Sequence, residues 1–184
     1  MLADQLELLA DIWKHPEKDV HALPTRIRGA LARLEALAHE ASRERRSHLA
    51  DEPDPEPVSR TLARLHTDIS ALGRILTESL PEKVHQQLSE PWSAFARSAA
   101  MLLREESQVF PNRMAPPEMT PVIEAIAKYA AAVDQVRRDG LTRRLSNEAV
   151  ARVFALGFVL DQFRRNLQDL LDRTAEVRTA AKPK

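Results

Sequence analysis

The stretch Arg152-Val-Phe-Ala-Leu-Gly-Phe-Val-Leu-Asp-Gln-Phe-Arg-Arg-Asn-Leu-Gln-Asp-Leu-Leu171 decides the fold. Val153, Leu156, Leu160, Phe163, Leu167 and Leu170 recur in steps of three and four, the spacing of one helix face. Carried on through Thr174 to Val177, they form a seam of a and d positions. Phe154, Phe158 and Val159 widen the apolar face at its start, enough to meet more than one neighbour. Gly157 costs about 1 kcal/mol against alanine in a helix, so its expected use is the close approach of another helix backbone. Ser146 is placed to cap this helix, with Glu148 in the first turn, and the helix is expected to run to about Thr179.

Proline marks the other elements. Pro24, Pro91 and Pro121 each stand before a helical pattern, where a first-turn proline belongs. Pro81 is expected to close a helix. Helices are expected at about Leu2–Lys14, Pro24–Leu49, Val58–Leu80, Pro91–Val109 and Pro121–Arg138. On the second, Ile27, Ala30, Leu34, Leu37 and Ala41 share a face; on the third, Val58, Leu62, Leu65, Ile69, Leu72 and Leu76 do. The acidic proline-rich stretch 51–57 and the proline-rich stretch 110–120 read as loops, residues 180–184 as a disordered tail. Gly140 marks a tight turn in RRDGLTRR. The fold class is therefore all-α: an antiparallel up-and-down bundle of five to six helices in a single domain, residues 1–184, with a long C-terminal helix. The second and third helices should form an antiparallel hairpin.

Composition agrees. The 184 residues are 43% apolar but only 4% aromatic, with four glycines, poor material for a sheet and ample for a helical core. Charges balance at 27 against 27, so the chain lacks the broad cationic field that duplex nucleic acid requires. Without cysteine there are neither disulfides nor thiolate metal sites. The N-terminus carries acids early and no basic region, unlike a secretory signal. The apolar run from Val153 to Leu160 is far short of the roughly 20 residues a membrane helix needs.

Chemistry is sparse. A di-metal bundle uses Glu-x-x-His pairs on facing helices. Glu82 and His85 fit that spacing but follow a proline break, and Pro16–His21 has one residue too many. Glu35 with His39, and Glu44 with His48, are four apart, the spacing of a surface pair. No glycine-rich phosphate loop or nucleophile elbow occurs. No catalytic residue, metal or cofactor is expected. Arg137, Arg138, Arg143 and Arg144 bracket the Gly140 turn. The simple reading is a solvated loop; the sharper one is a contact for an anionic ligand or lipid headgroups.

The text from Ala149 to Val177 resembles the C-terminal end of the FUSC family, the fusaric-acid-resistance and aromatic-acid-exporter proteins of bacteria. The segments RIRGALARLEALAHEASRERR (residues 26–46) and PWSAFARSAAMLL (residues 91–103) are similar to that family as well. The resemblance implies a non-enzymatic domain on the cytoplasmic face of the bacterial inner membrane. It further implies a membrane-embedded portion of a parent transporter as partner, homo-oligomer formation, and a role in assembly or substrate access. Family members carry blocks of membrane helices that this chain lacks, so the resemblance implies either an excised domain, the favoured reading, or the loss of part of the family pattern. Two alternatives stand beside this reading: a free-standing helical adaptor or ligand-responsive module, and a metal-dependent bundle enzyme.

Overall fold

A computed structural model describes residues 1–13, 22–48, 53–77, 80–112 and 114–180. They form α1 (Leu2–Ala10), α2 (Ala22–His48), α3 (Glu56–Leu76), α4 (Glu82–Asn112), α5 (Thr120–Arg138), a 3-10 turn (Leu141–Arg144) and α6 (Asn147–Ala180), with no strand among the described residues. The all-α bundle with a long last helix is as the periodicity predicts. At 1.5 Å per residue α6 is about 50 Å long.

The side chains that meet across helices fix the directions. Trp92 Nε1 donates to the Leu9 carbonyl while Arg104 pairs with Asp4, so α1 and α4 are antiparallel. Trp13 donates to the Leu76 carbonyl while Leu9 sits against Gly73, so α1 and α3 run in one sense. Gln87 reaches Asp139, which sets α5 against α4. Thr61 contacts Asp169 and Asp68 contacts Asn166, so α6 opposes α3. Ser42 bonds Asp54 and His39 bonds Glu56, closing the expected α2–α3 hairpin. The helices thus alternate up and down along the chain.

One core runs through α1, α3, α4, α5 and α6. Trp13, Trp92, Phe95 and Phe163 form a chain of rings with centroids 5.6–6.4 Å apart, joining the turn after α1 to α4 and α6. Trp92 and Ser93 also donate, each at 2.8 Å, to the Leu9 and Ala10 carbonyls at the end of α1. The last carbonyls of a helix have no partner within it, so these two side chains of α4 cap α1 inside the core.

Several boundaries differ from the sequence reading. Pro91 does not open α4; it lies inside it, because Val84 and Leu88 ahead of it are fully buried and their packing extends the helix back to Glu82. That burial, roughly 1.5–3 kcal/mol per side chain, outweighs a proline's preference for the first turn. Pro81 opens α4 instead of closing its predecessor: its carbonyl accepts from the Val84 and His85 amides. Glu56 and Pro57, expected in the 51–57 loop, form the first turn of α3. Phe110, Pro111 and Asn112, expected in the 110–120 loop, complete α4. α1 ends at Ala10, short of the expected Lys14, which lies outside the described residues, as do Leu49, residues 51 and 52, and 181–184 of the tail.

The expected face of α2 is also rolled. Ile27, Ala38 and Ser42 are buried, whereas Leu34 is 37% and Leu37 64% exposed, and Ala41 is exposed. The hairpin presses the row through Ile27 and Ala38 against α3 and leaves the neighbouring apolar row outside.

Candidate interaction surfaces

Along the α6 seam Val153, Leu156, Leu160, Phe163, Leu167, Leu170 and Thr174 are buried, and Val177 is half-buried. The seam is spent on α3, α4 and α5 within the chain and is closed to a second copy. Gly157 is not where a helix backbone approaches; it is exposed, and a Cβ built there meets nothing within 4 Å. The glycine at a close contact is Gly73, whose added Cβ would stand 3.6 Å from Leu9. The reason is angular. Residue 157 lies off the buried side of α6, a position the apolar pattern alone assigns loosely because Phe154, Phe158 and Val159 surround it.

Opposite the seam, Phe154 is 55% and Phe158 73% exposed, flanked by exposed Ala151 and Ala155. These four positions, spaced by three and four, make an outward apolar stripe over the first turns of α6. Ser146 caps this end as expected, its Oγ accepting from the Ala149 amide at 3.2 Å.

Just before the stripe lies the arginine turn. Gly140 adopts a left-handed conformation, φ 69°, that a side chain would strain, so the tight turn is as expected. Arg137 and Arg138 occupy the last turn of α5, where they complement its dipole. Arg138 donates to Gln135 at 2.8 Å, while Asp139 is taken up by Gln87 and Gln135. Arg137, Arg138 and Arg143 are exposed with no carboxylate in ion-pair range among the described residues. The Arg144 backbone belongs to the 3-10 turn; its side chain is outside the described residues.

The far half of α6 is of another kind. Arg178 and Glu106 pair at 2.8 Å with both side chains at least nine-tenths buried, tying α6 to α4. Asp68, between α3 and α6, accepts from Asn166 at 2.6 Å. Burial pushes its carboxyl above the usual range, and the Asn166 bond only partly offsets that. His66 is buried with Nδ1 unpartnered; burial, helped by Arg28, pushes its pKa down. Tyr129 is held well above the usual phenol range by burial.

Two hollows lie beside α3. One, of about 530 Å³, is lined by Pro57, Ala63 and the stems of Arg60, Arg64 and Arg173. Its cations are engaged, since Asp169 takes both Arg64 and Arg173. The other, of about 430 Å³, lies in the α2–α3 hairpin beside His39 and Glu56. His39 pairs with Glu56, not with Glu35 on its own helix. Glu82 and His85 are also apart in use, His85 stacking edge-on against Trp13. No group of three metal-ligating side chains converges among the described residues. His48's side chain and the segment Pro16–His21 lie outside them. What the arrangement offers is helix faces: the Phe154/Phe158 stripe, with the arginine turn preceding it in the chain, and the Leu34/Leu37 row on α2. Sequence reasoning placed the first pair on the right helix but missed that they point outward, which the row Ala151–Phe154–Ala155–Phe158 would have signalled.

No helix among the described residues is long and apolar enough to cross a membrane. Comparison with protein-family models, curated proteins and solved structures yields no match to this chain.

Proposed function

We propose that the chain is an assembly domain, acting through its helix faces and not through a reaction centre, and that it belongs to an inner-membrane exporter of the FUSC type. In this reading it lies on the cytoplasmic face, and the membrane-embedded portion of the parent transporter is its partner. The cargo, aromatic acids or related small molecules, comes from the family resemblance alone. The observation that carries the assembly role is the exposure of Phe154 and Phe158 on a helix whose opposite face is wholly buried. Large contiguous apolar patches are rare on monomeric soluble proteins and mark contact sites, and this stripe supports such a reading. The adjoining arginines add about 1 kcal/mol per cation near an anionic bilayer, which would orient this corner toward the membrane.

Two experiments test the reading. The parent reading frame should encode several apolar runs of membrane length in frame with this chain; a frame without them removes the exporter. Independently, replacing Arg137, Arg138, Arg143 and Arg144 with glutamine should weaken flotation with anionic vesicles. Unchanged flotation would show that the turn is only a solvated loop. A free-standing adaptor is the second reading, favoured by the Leu34/Leu37 row, which lies on a different helix from the Phe154/Phe158 stripe.

A further inference from the structure

The outer row of α2 is built to meet itself. Ala30, Leu34, Leu37 and Ala41 are spaced four, three and four apart, so they form successive d and a positions of a heptad. The order is a palindrome: turned end for end, alanine falls on alanine and leucine on leucine. In an antiparallel pair of such helices each a residue shares a layer with a d residue of the partner. Ala30 then faces Ala41 of the other copy, and Leu34 faces Leu37, twice over. Alanines at the ends and leucines at the centre let two helices approach closely around a small apolar core.

The flanks agree with the core. Residues 31, 38 and 45 follow the d positions on the side of α2 turned to α3, where Ala38 is buried. Residues 26, 33 and 40 lie on the open side, as Arg26, Arg33 and Glu40, all exposed. Antiparallel pairing sets like flanks against each other, which puts Arg33 of one copy beside Glu40 of the other, at both ends of the leucine core. Within one chain Arg33 and Glu40 are two turns apart, and neither has an ion-pair partner among the described residues. Glu40 instead stands one turn from Glu44, a like-charge pair that is unfavourable in an isolated helix.

We propose that a second copy of this chain covers the outer row of α2, antiparallel, with Leu34 against Leu37 and Arg33 against Glu40. This deepens the assembly reading by naming a self-association surface, and relocates it: the α6 seam is consumed inside each chain, and the outer row of α2 takes its place. The Phe154/Phe158 stripe has no comparable order, since Glu148 and Arg165 fall on different flanks of α6 and Arg165 is already held by Asp161. It stays free for another partner.

The test uses the full chain and measures mass against concentration by sedimentation or light scattering. Wild type should be dimeric at micromolar to tens of micromolar concentration. Arg33→Glu places a carboxylate opposite Glu40, and Glu40→Arg places a guanidinium opposite Arg33; each should raise the dimer Kd on the order of tenfold, with helicity by circular dichroism unchanged. Mixed in equal amounts the two variants should recover the wild-type Kd, because the mixed pair has opposite charges at both contacts. Leu37→Gln should be monomeric. A wild-type chain that stays monomeric at about 100 µM overturns the proposal, as does a mixture no tighter than its components. So does a monomer that floats with vesicles and loses flotation on Leu37→Gln, which would assign the row to lipid. None of these outcomes touches the parent reading frame, so the exporter reading fails or survives on its own.

Discussion

The two halves of α6 share one apolar period and live in different surroundings. From Val153 to Leu160 the helix buries one side and shows Phe154 and Phe158 on the other. From Phe163 to Arg178 it is wedged between α3 and α4, its outer side carries Arg165, Asp172 and Glu176, and it encloses an ion pair. The first half keeps an apolar face in water, the face we propose for a partner. The second half is built to hold the chain together. A heptad pattern therefore says that a helix buries a face, and the composition of the opposite face says whether burial ends there.

The sharpest way to break this contrast is a pair of phenylalanines. Phe163→Ala should cost about 3–5 kcal/mol, because it removes a fully buried ring stacked against Phe95 and leaves a cavity. Phe158→Ala should cost under about 0.5 kcal/mol in the isolated chain, since the side chain is mostly in water. Denaturant midpoints of the two variants compare the halves directly, and equal losses would erase the distinction.

Next comes the buried pair. Glu106→Leu strands the Arg178 guanidinium and should cost about 3–5 kcal/mol, whereas adding Arg178→Met should restore most of that loss. A double variant as unstable as the single one would mean that the pair does more than neutralise two buried charges. Gly157→Ala should act in the opposite sense, stabilising by roughly 0.5–1 kcal/mol: the position is open and helical, and alanine loses less entropy. A loss instead would reveal a neighbour against residue 157.

The smallest effect is a pH dependence in the second half. The folded carboxyl of Asp68 has a raised pKa, so the native state binds its proton more tightly than the unfolded chain. Its contribution therefore favours folding at low pH and is lost as pH rises through the raised value. Asp68→Asn removes that penalty and keeps an acceptor for Asn166. It should be slightly more stable than wild type at neutral pH, with the difference shrinking toward pH below the ordinary aspartate value of 3.8. Thermal melts across that range measure it; a difference that grows on acidification contradicts the assignment. His66, whose pKa is lowered, works in the other direction: stability falls as pH drops through its ordinary value of 6.5.

Much of the architecture was legible in the residues. The a and d seam of α6, the Ser146 cap, the Gly140 turn and the α2–α3 hairpin follow from local spacing and from turn chemistry, and all four are present. Pro91 and the outer row of α2 were misread for a shared reason. Pro91 is a local signal overridden by Val84 and Leu88, which are buried in the shared core. Leu34 and Leu37 satisfy helical periodicity equally well facing inward or outward. The Trp92 and Ser93 caps on α1 had no sequence signal, since the acceptor carbonyls lie 83 positions away.

By itself the sequence determined that the chain is helical, where most helices lie, and which of their edges are apolar, because these depend on neighbours three and four residues apart. The tertiary structure alone decided which apolar edge each helix spends internally and which it leaves in water. That choice is made by helices distant in sequence competing for the same core, and it leaves Phe154, Phe158, Leu34 and Leu37 among the side chains in water.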